Sequence, residues 1–327
     1  MPMPGPALAP PLPVLYRPGW NFMDTVDRIL VATSFSERSV DAVRKAAVLA
    51  AQRHASLTLL HVVEPVKNRR LRRLVKQEML VSARVADART KLARLAGEIA
   101  AGQGVPVELC VYVGDKLTSI LAACQEADVL FIGGTAGRLT PFRRPTAERL
   151  LGHCDVPIVV VNGPQSLHYA RALVVVRDAP GAVSALKATG CLWPAAEKVV
   201  FYAIDPRQQQ PRQIGDALAS AKTAPPARRA RILGYLRSLV RRAGLRGQEV
   251  SCRFRYGDAC KAALSMQAEV QADVMVLTRR RSPAIETFVL GKVATRLLAI
   301  AQCDVLITTG ATLTPMLLAL SSPKLAA

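Results

Sequence analysis

Two segments of the chain have residue types that could hold a phosphate group. Residues 132–149 begin with three glycines within five positions, and residues 277–296 begin with three consecutive arginines. Glycine lets backbone N–H groups approach a phosphate closely, and guanidinium groups bind its oxygens through paired hydrogen bonds. Both segments are therefore candidate anion sites.

The two segments occupy the same place in an internal repeat. Residues 28–161 and 171–308 share one order of landmarks, such as Gly-Asp at 114–115 and 257–258, at an offset of about 141 to 149 residues. Each repeat is long enough to bury its own core. The sequence predicts a flexible Pro-rich arm, two domains and a C-terminal tail, at residues 1–24, 25–163, 170–310 and 311–327.

Short apolar runs alternate with helical patterns in both repeats. The first repeat has predicted strands at residues 28–33, 57–63, 105–113, 129–132 and 156–161. Continuous apolar runs are typical of parallel strands that are buried on both faces. The predicted fold is α/β, with one open parallel five-stranded sheet per domain and helices on both faces. Ligands of such sheets bind beyond the carboxyl ends of the strands, where both phosphate candidates lie.

The chain is strongly basic, with a net charge of +20 and a pI near 10.3. Arginine and lysine cluster at residues 67–73 and 228–246, which follow the second strand of each repeat. These clusters predict either an anionic partner such as nucleic acid or a solvated helix face. Aromatic residues make up only 5% of the chain, which argues against recognition of single strands by stacking.

Several functional classes lack their sequence signals. No apolar run approaches the ~18 residues that span a bilayer, so no membrane span is predicted. Seven cysteines without a CxxC pair fit a reducing cytoplasm, the predicted location. The four histidines show no ligand spacing, and no Walker loop, zinc signature or nucleophile–base pattern occurs, so the sequence indicates neither a metal site nor a catalytic residue. The aspartates of the two Gly-Asp turns are predicted helix caps.

Five segments of the first repeat resemble universal stress protein domains, and together they are specific. They lie at residues 29–39, 60–63, 113–115, 127–128 and 147–151, and the resemblance covers about 280 of the 327 residues. It implies adenine nucleotide alpha hydrolase-like domains that commonly pair through their last strands. Some members bind ATP and others do not. The binders have an Asp after strand one, a small apolar residue after strand two, and a loop G-x2-G-x9-G-[S/T] after strand four.

The first repeat matches this pattern in part. The resemblance places its nucleotide residues at Ser34, Val62, Gly134 and Gly137. Ser34 stands where the binders have Asp, and the loop is about three residues short. Arg144 and Pro145 therefore stand at the Gly-Ser positions, where proline lacks a donor. Arg143 and Arg144 remain candidate anion ligands.

The second repeat keeps the spacing and loses most of the residues. The resemblance places its nucleotide residues at Asp178, Ala203, Gly291 and Lys292. Arg177 occupies the Asp position itself, with Asp178 one residue later, and Lys292 replaces the Ser or Thr. The candidate anion residues are Arg279, Arg280 and Arg281.

The sequence therefore predicts a non-enzymatic universal stress protein that acts in stress response or regulation, with a degenerate nucleotide site in both halves. No cofactor is expected, and ATP is the one that such a site could take. One alternative is a basic module that binds nucleic acid or another anionic partner, and another is a nucleotide sensor or weak ATPase. The two domains are expected to pair as an internal pseudo-dimer, with a homodimer as a further assembly.

Overall fold

A computed structural model describes residues 25–65, 77–134, 146–162, 166–204, 226–245, 249–281 and 288–309 of the chain. The predicted N-terminal arm and C-terminal tail lie outside these residues.

The first half alternates strands and helices as the apolar runs predict. Its strands are β1 (Arg28–Ala32), β2 (Ser56–Val63), β3 (Val107–Val113), β4 (Val129–Gly133) and β5 (Ile158–Val161). Its helices are α1 (Glu37–Arg53), α2 (Gln77–Gln103), α3 (Lys116–Cys124) and α4 (Thr146–Leu151). The predicted cap is present at α3, where the Asp115 carboxylate accepts the Thr118 N–H at 3.1 Å. This bond lowers the pKa of Asp115.

The second half repeats the order and adds one short strand. Its strands are β6 (Arg171–Val176), β7 (Glu197–Ile204), β8 (Val250–Tyr256), β9 (Val274–Arg281), β10 (Phe288–Val289) and β11 (Asp304–Thr309). Its helices are α5 (Ala179–Leu192), α6 (Pro226–Ala243), α7 (Ala259–Glu269) and α8 (Lys292–Ile300). Asp258 caps α7 by accepting the Lys261 N–H at 2.9 Å, in the same way as its counterpart in the first half.

Strand β9 is longer than the sequence predicts. The arginine-rich segment after residue 277 was expected to be a turn, but the strand continues to Arg281. Thr309 of β11 pairs with Arg279, and β10 pairs antiparallel with Arg280 and Arg281. Two neighbouring strands thus satisfy the backbone of this segment, which a single-sequence pattern cannot reveal.

The two five-stranded sheets join edge to edge into one sheet, with the order β3-β2-β1-β4-β5-β11-β9-β6-β7-β8 and β10 attached to β9. The pairs along this path are parallel within each half. The joint between β5 and β11 is antiparallel, with Val159 opposite Leu306. The expected pairing of the last strands is therefore made within one chain.

Helices cover both faces of the sheet, and a hydrophobic layer lies under each set. One layer packs α1, α2, α5 and α6 against residues such as Phe131, Val174 and Val276. The other packs α3, α4, α7 and α8 against residues such as Leu130 and Val305. Because neighbouring strand residues point to opposite faces, both members of a pair such as Leu130 and Phe131 are buried.

A charged group lies buried at the joint between the halves. Asp304 begins β11 and accepts a bond from Lys45 Nζ of α1 at 2.6 Å, although both side chains are at most 1% exposed. The Tyr169 hydroxyl donates to the same carboxylate at 2.6 Å, and the Asn162 N–H donates to its other oxygen at 2.9 Å. Burial, followed by the negative charge of Asp304, raises the pKa of Tyr169. The carboxylate therefore ties elements of both halves together.

Candidate functional site

The strand order reverses once in each half. β1 lies between β2 and β4, and β6 lies between β7 and β9. In open α/β sheets such reversals form the crevice where ligands bind. The residues that follow β1 and β4, and those that follow β6 and β9, therefore make up the candidate site of each half.

In the first half, four hydroxyl side chains follow β1 and bond largely to one another. Ser39 Oγ lies 3.1 Å from Thr33 Oγ1, 3.2 Å from the Ser34 backbone nitrogen and 3.2 Å from Ser36 Oγ. Ser34 Oγ lies 3.1 Å from Ser36 Oγ. Ser34, the residue at the predicted carboxylate position, thus adds a neutral hydroxyl to a cluster and brings no charge to the site.

His61 of β2 lies beside this cluster, under the ring of Phe35. The two ring centroids are 4.5 Å apart, and His61 Nδ1 donates to the Thr33 carbonyl oxygen at 2.9 Å. Burial lowers the pKa of His61 from its usual 6.5; the Thr33 bond opposes this shift, and nearby cations such as Lys116 add to it. The imidazole is therefore neutral at pH 7, with its Nδ1 proton committed to the backbone.

Two glycines at the end of β4 are required by packing inside the protein. A Cβ on Gly133 would lie 2.7 Å from the Ser39 backbone nitrogen in the first turn of α1. A Cβ on Gly134 would collide with the side-chain oxygen of Asn162. Internal packing thus explains Gly134 without a bound phosphate.

Of the other predicted nucleotide and anion residues, some lie within the described residues and others outside them. Val62 is half-buried near the end of β2, like Ala203 near the end of β7, and each packs on the hydrophobic layer beneath it. Gly137, Arg143 and Arg144 lie outside the described residues.

In the second half, the Asp178 carboxylate binds groups of the protein itself. Asp178 is the N-cap of α5, and its Oδ1 accepts the Gly181 N–H at 2.8 Å. Its Oδ2 accepts bonds from Arg280 at 3.1 Å (Nε) and 2.5 Å (Nη2). Two of the predicted ligands, Asp178 and Arg280, thus form an ion pair with each other. The pair neutralises Asp178, the carboxylate one residue after the predicted position.

Arg177 lies against the start of α8. A Cβ on Gly291 would overlap its guanidinium group, so the two lie in direct contact. Gly291 is the N-cap of α8 without a side-chain cap bond, and the exposed Lys292 follows it. Two cationic residues therefore lie at the positive end of a helix dipole, which is a favourable place for an anion.

Arg279 has a different role from the predicted one. Its side chain is 1% exposed and its guanidinium donates to the carbonyl oxygens of Leu151 (2.5 Å), Cys154 and Val156 (3.1 Å) in the segment before β5. Burial lowers its pKa to about 10. Successive strand residues point to opposite faces, so Arg279 turns inward while Arg280 is exposed. Arg279 thus stabilises the joint between the halves and does not reach a solvent ligand.

The sequence reasoning missed the contributions of Phe35, Ser39 and Asn162. Ser36 holds the N-cap position of α1, and Ser39 is the buried centre of the hydroxyl cluster. The spacing of hydroxyls at 34, 36 and 39 was the available signal. No nearby sequence pattern predicts the role of Asn162, because its partners, the Cys303 carbonyl and the Asp304 carboxylate, are distant in sequence.

Two further features are absent from the described residues. No group of three or more His, Cys, Asp or Glu side chains in these ranges could hold a metal ion. None of the described helices combines the length and apolar character that a membrane crossing requires.

A comparison with protein-family models gives two matches. The model described as the universal stress protein family matches residues 25–162 and again residues 168–309. A search of curated proteins gives no match.

Solved structures with the same fold cover most of the chain. A universal stress protein from Archaeoglobus fulgidus DSM 4304 is 15% identical, with a TM-score of 0.64, over 87% of this chain and 98% of its own. A functionally unknown protein from Pseudomonas aeruginosa PAO1 is 15% identical, with a TM-score of 0.54, over 88% of this chain and 94% of its own. A putative universal stress protein from Pseudomonas aeruginosa UCBPP-PA14 is 15% identical, with a TM-score of 0.54, over 88% and 95% respectively. At this identity the likeness shows the fold.

Proposed function

Because the chain belongs to the universal stress protein family, we propose that it acts in the stress response as a regulatory protein without catalytic activity, and that neither half holds ATP in the manner of the ATP-binding members. The proposal places the protein in the cytoplasm. All seven cysteines are free thiols, which suits a reducing compartment.

The engagement of Asp178 is the observation that carries the proposal. Both oxygens of Asp178 already accept bonds within the protein, because one caps α5 and the other is paired with Arg280. A nucleotide that bonds to this carboxylate would have to compete with Arg280 and with the capping N–H. An N-cap contributes roughly 1 kcal/mol, so this competition weakens binding.

The first half supports the proposal in two ways: Ser34 carries no charge, and His61 is hydrogen-bonded to the backbone. Ser34 offers a neutral hydroxyl where the resemblance expects a carboxylate, and its neighbouring hydroxyls bond to one another. His61 donates its Nδ1 proton to the Thr33 carbonyl oxygen, which is not a nucleophile. The hydroxyls of the cluster bond to one another, for example Thr33 Oγ1 to Ser39 Oγ. Activation of a Ser nucleophile requires a base within hydrogen-bonding reach of the hydroxyl.

Mass spectrometry of small molecules released from gently purified full-length protein tests the proposal. The expected result is no adenine nucleotide at a stoichiometric level, together with no change in melting temperature when Mg-ATP is added. Stoichiometric ATP or ADP in the released fraction would contradict it. Hydrolysis of ATP by the protein, lost in a variant of a site residue, would contradict the non-enzymatic part.

A second candidate function is the sensing of a phosphate-bearing ligand by the second half alone. The observation in its favour is the position of Arg177 and Lys292 at the uncapped start of α8. Such a site would bind the phosphate without the family's carboxylate. A melting-temperature increase with inorganic pyrophosphate that is lost in the Lys292→Gln variant, but not in Lys261→Gln, would select this function.

A further inference from the structure

Helix α6 differs in charge from its counterpart in the first half. Between Pro226 and Ala243 it carries six arginines and no Asp or Glu. Helix α2, which follows the second strand of the first half, mixes four basic with three acidic residues. The basic cluster of the first repeat, residues 67–73, precedes α2 and lies outside the described residues.

The arginines of α6 lie on its outer face. The apolar residues Ile232, Leu236 and Leu239 are buried against the sheet. The exposed arginines are Arg229, Arg231, Arg237, Arg241 and Arg242. Among the residues that the structure describes, none of these five forms an ion pair with a carboxylate. Their side chains lie on the exposed surface of the helix.

Helix stability does not account for this arrangement. Arg229 lies in the first turn, which contains no acidic residue, so its charge opposes the helix dipole. Arg237 and Arg241 are like charges four residues apart, which repel each other. Only the arginines of the last turn are favoured by the dipole. Helix α2 follows the stabilising pattern, with Glu78 in its first turn and an i,i+4 pair of Lys91 with Asp87 at 2.7 Å.

We propose that the outer face of α6 binds the phosphodiester backbone of duplex nucleic acid, independently of the proposed lack of nucleotide binding. Several exposed guanidinium groups on one helix can bind closely spaced phosphates and neutralise them. Insertion into a lipid surface does not fit, because the apolar face of α6 is already buried in the protein. Single-strand recognition does not fit either, because the one aromatic residue of α6, Tyr235, is half-buried.

The test measures binding of the full-length protein to a fluorescent 20-base-pair DNA duplex between about 50 and 200 mM salt. The test variant is Arg231→Gln, Arg237→Gln, Arg241→Gln, and the control is Arg89→Gln, Lys91→Gln, Arg94→Gln. The control removes the same charge from exposed positions of α2. Glutamine is a good helix former, and circular dichroism checks that both variants are folded.

We expect the α6 variant to lose about tenfold or more in affinity and to lower the slope of log K against log salt by about 2 to 3. The α2 control should retain most of the affinity. Equal losses in the two variants would overturn the proposal, because net charge alone would then explain binding. Tighter binding of a single strand or of inorganic polyphosphate than of the duplex would also overturn it.

Discussion

At the scale of single residues, two adjacent arginines of β9 lie in different environments, one buried and one exposed. Arg279 is buried among three carbonyl oxygens, and Arg280 pairs with Asp178 at the surface. Both had the same predicted role, because sequence alone gives a residue's type and not the direction of its side chain. The strand extension that orients them depends on β10 and β11, which approach from later in the chain.

Substitution of these two arginines should separate their roles. Arg279→Met leaves three buried carbonyl oxygens without their donor, so we expect a loss of about 2–4 kcal/mol in the free energy of unfolding. Arg280→Met removes a surface pair and should cost less than about 1 kcal/mol. Urea denaturation measures both. Equal costs for the two variants would contradict the assigned roles.

The lowered pKa of His61 predicts a pH dependence of stability. Between the folded pKa and 6.5 the unfolded chain binds more protons than the folded one, so the free energy of unfolding falls as the pH decreases through 6.5. His61→Gln keeps a donor for Thr33 and does not titrate, so urea denaturation at pH 7 and 5.5 should show a smaller decrease. His153→Gln, at an exposed position, is the control. An unchanged decrease in His61→Gln would refute the prediction.

Part of the candidate site could be predicted from sequence because it depends on local order. The Gly-Asp turns capped their helices as expected, since a cap reaches only three residues along the chain. The partners of Asp178 and Arg177 could not be predicted in the same way. Arg280 and Gly291 are each more than a hundred residues away from them.

At the scale of elements, apolar runs predicted the strands and their parallel arrangement. The family and fold predictions are confirmed by the family-model matches and the solved structures with the same fold. The prediction for the end of β9 was wrong, because the strand continues through charged residues to Arg281. Charged residues interrupt the apolar pattern by which a strand is predicted. The backbone of this segment still pairs with β10 and β11, whatever its side chains.

Glycines in two kinds of element should respond oppositely to alanine. A Cβ at Gly234 of α6 meets open space, so Gly234→Ala should raise the free energy of unfolding by about 0.5–1 kcal/mol. Gly133→Ala would force a Cβ to 2.7 Å from the Ser39 nitrogen and should lower it by at least about 1 kcal/mol. Urea denaturation compares the two variants. A stabilised Gly133→Ala would show that α1 does not approach β4 this closely.

At the scale of the whole molecule, the two halves form one sheet through β5 and β11. Because this pairing occupies the last strand of each half, a homodimer would have to use another surface. The buried carboxylate of Asp304 adds a second link across the joint, since its partner Lys45 belongs to the first half.

Removal of the buried Lys45 cation should lower the free energy of unfolding of both halves. Lys45→Met leaves Asp304 charged and buried, so we expect a loss of about 3–5 kcal/mol in the free energy of unfolding. Lys187→Met changes an exposed lysine of α5 and should stay within about 0.5 kcal/mol. Hydrogen exchange should show that the loss reaches both halves. Protection lost only around α1 would contradict a shared joint.

Calorimetric titration of the full-length protein with Mg-ATP, beside magnesium tripolyphosphate, tests the central claim most directly. Because Asp178 is paired with Arg280 and Ser34 is neutral, the account predicts no saturable binding of ATP beyond that of tripolyphosphate at about 0.15 M salt, where weak surface attraction is largely screened. Saturable ATP binding that exceeds the tripolyphosphate signal would contradict it, and loss of that binding in Asp178→Asn would assign the site to the second half.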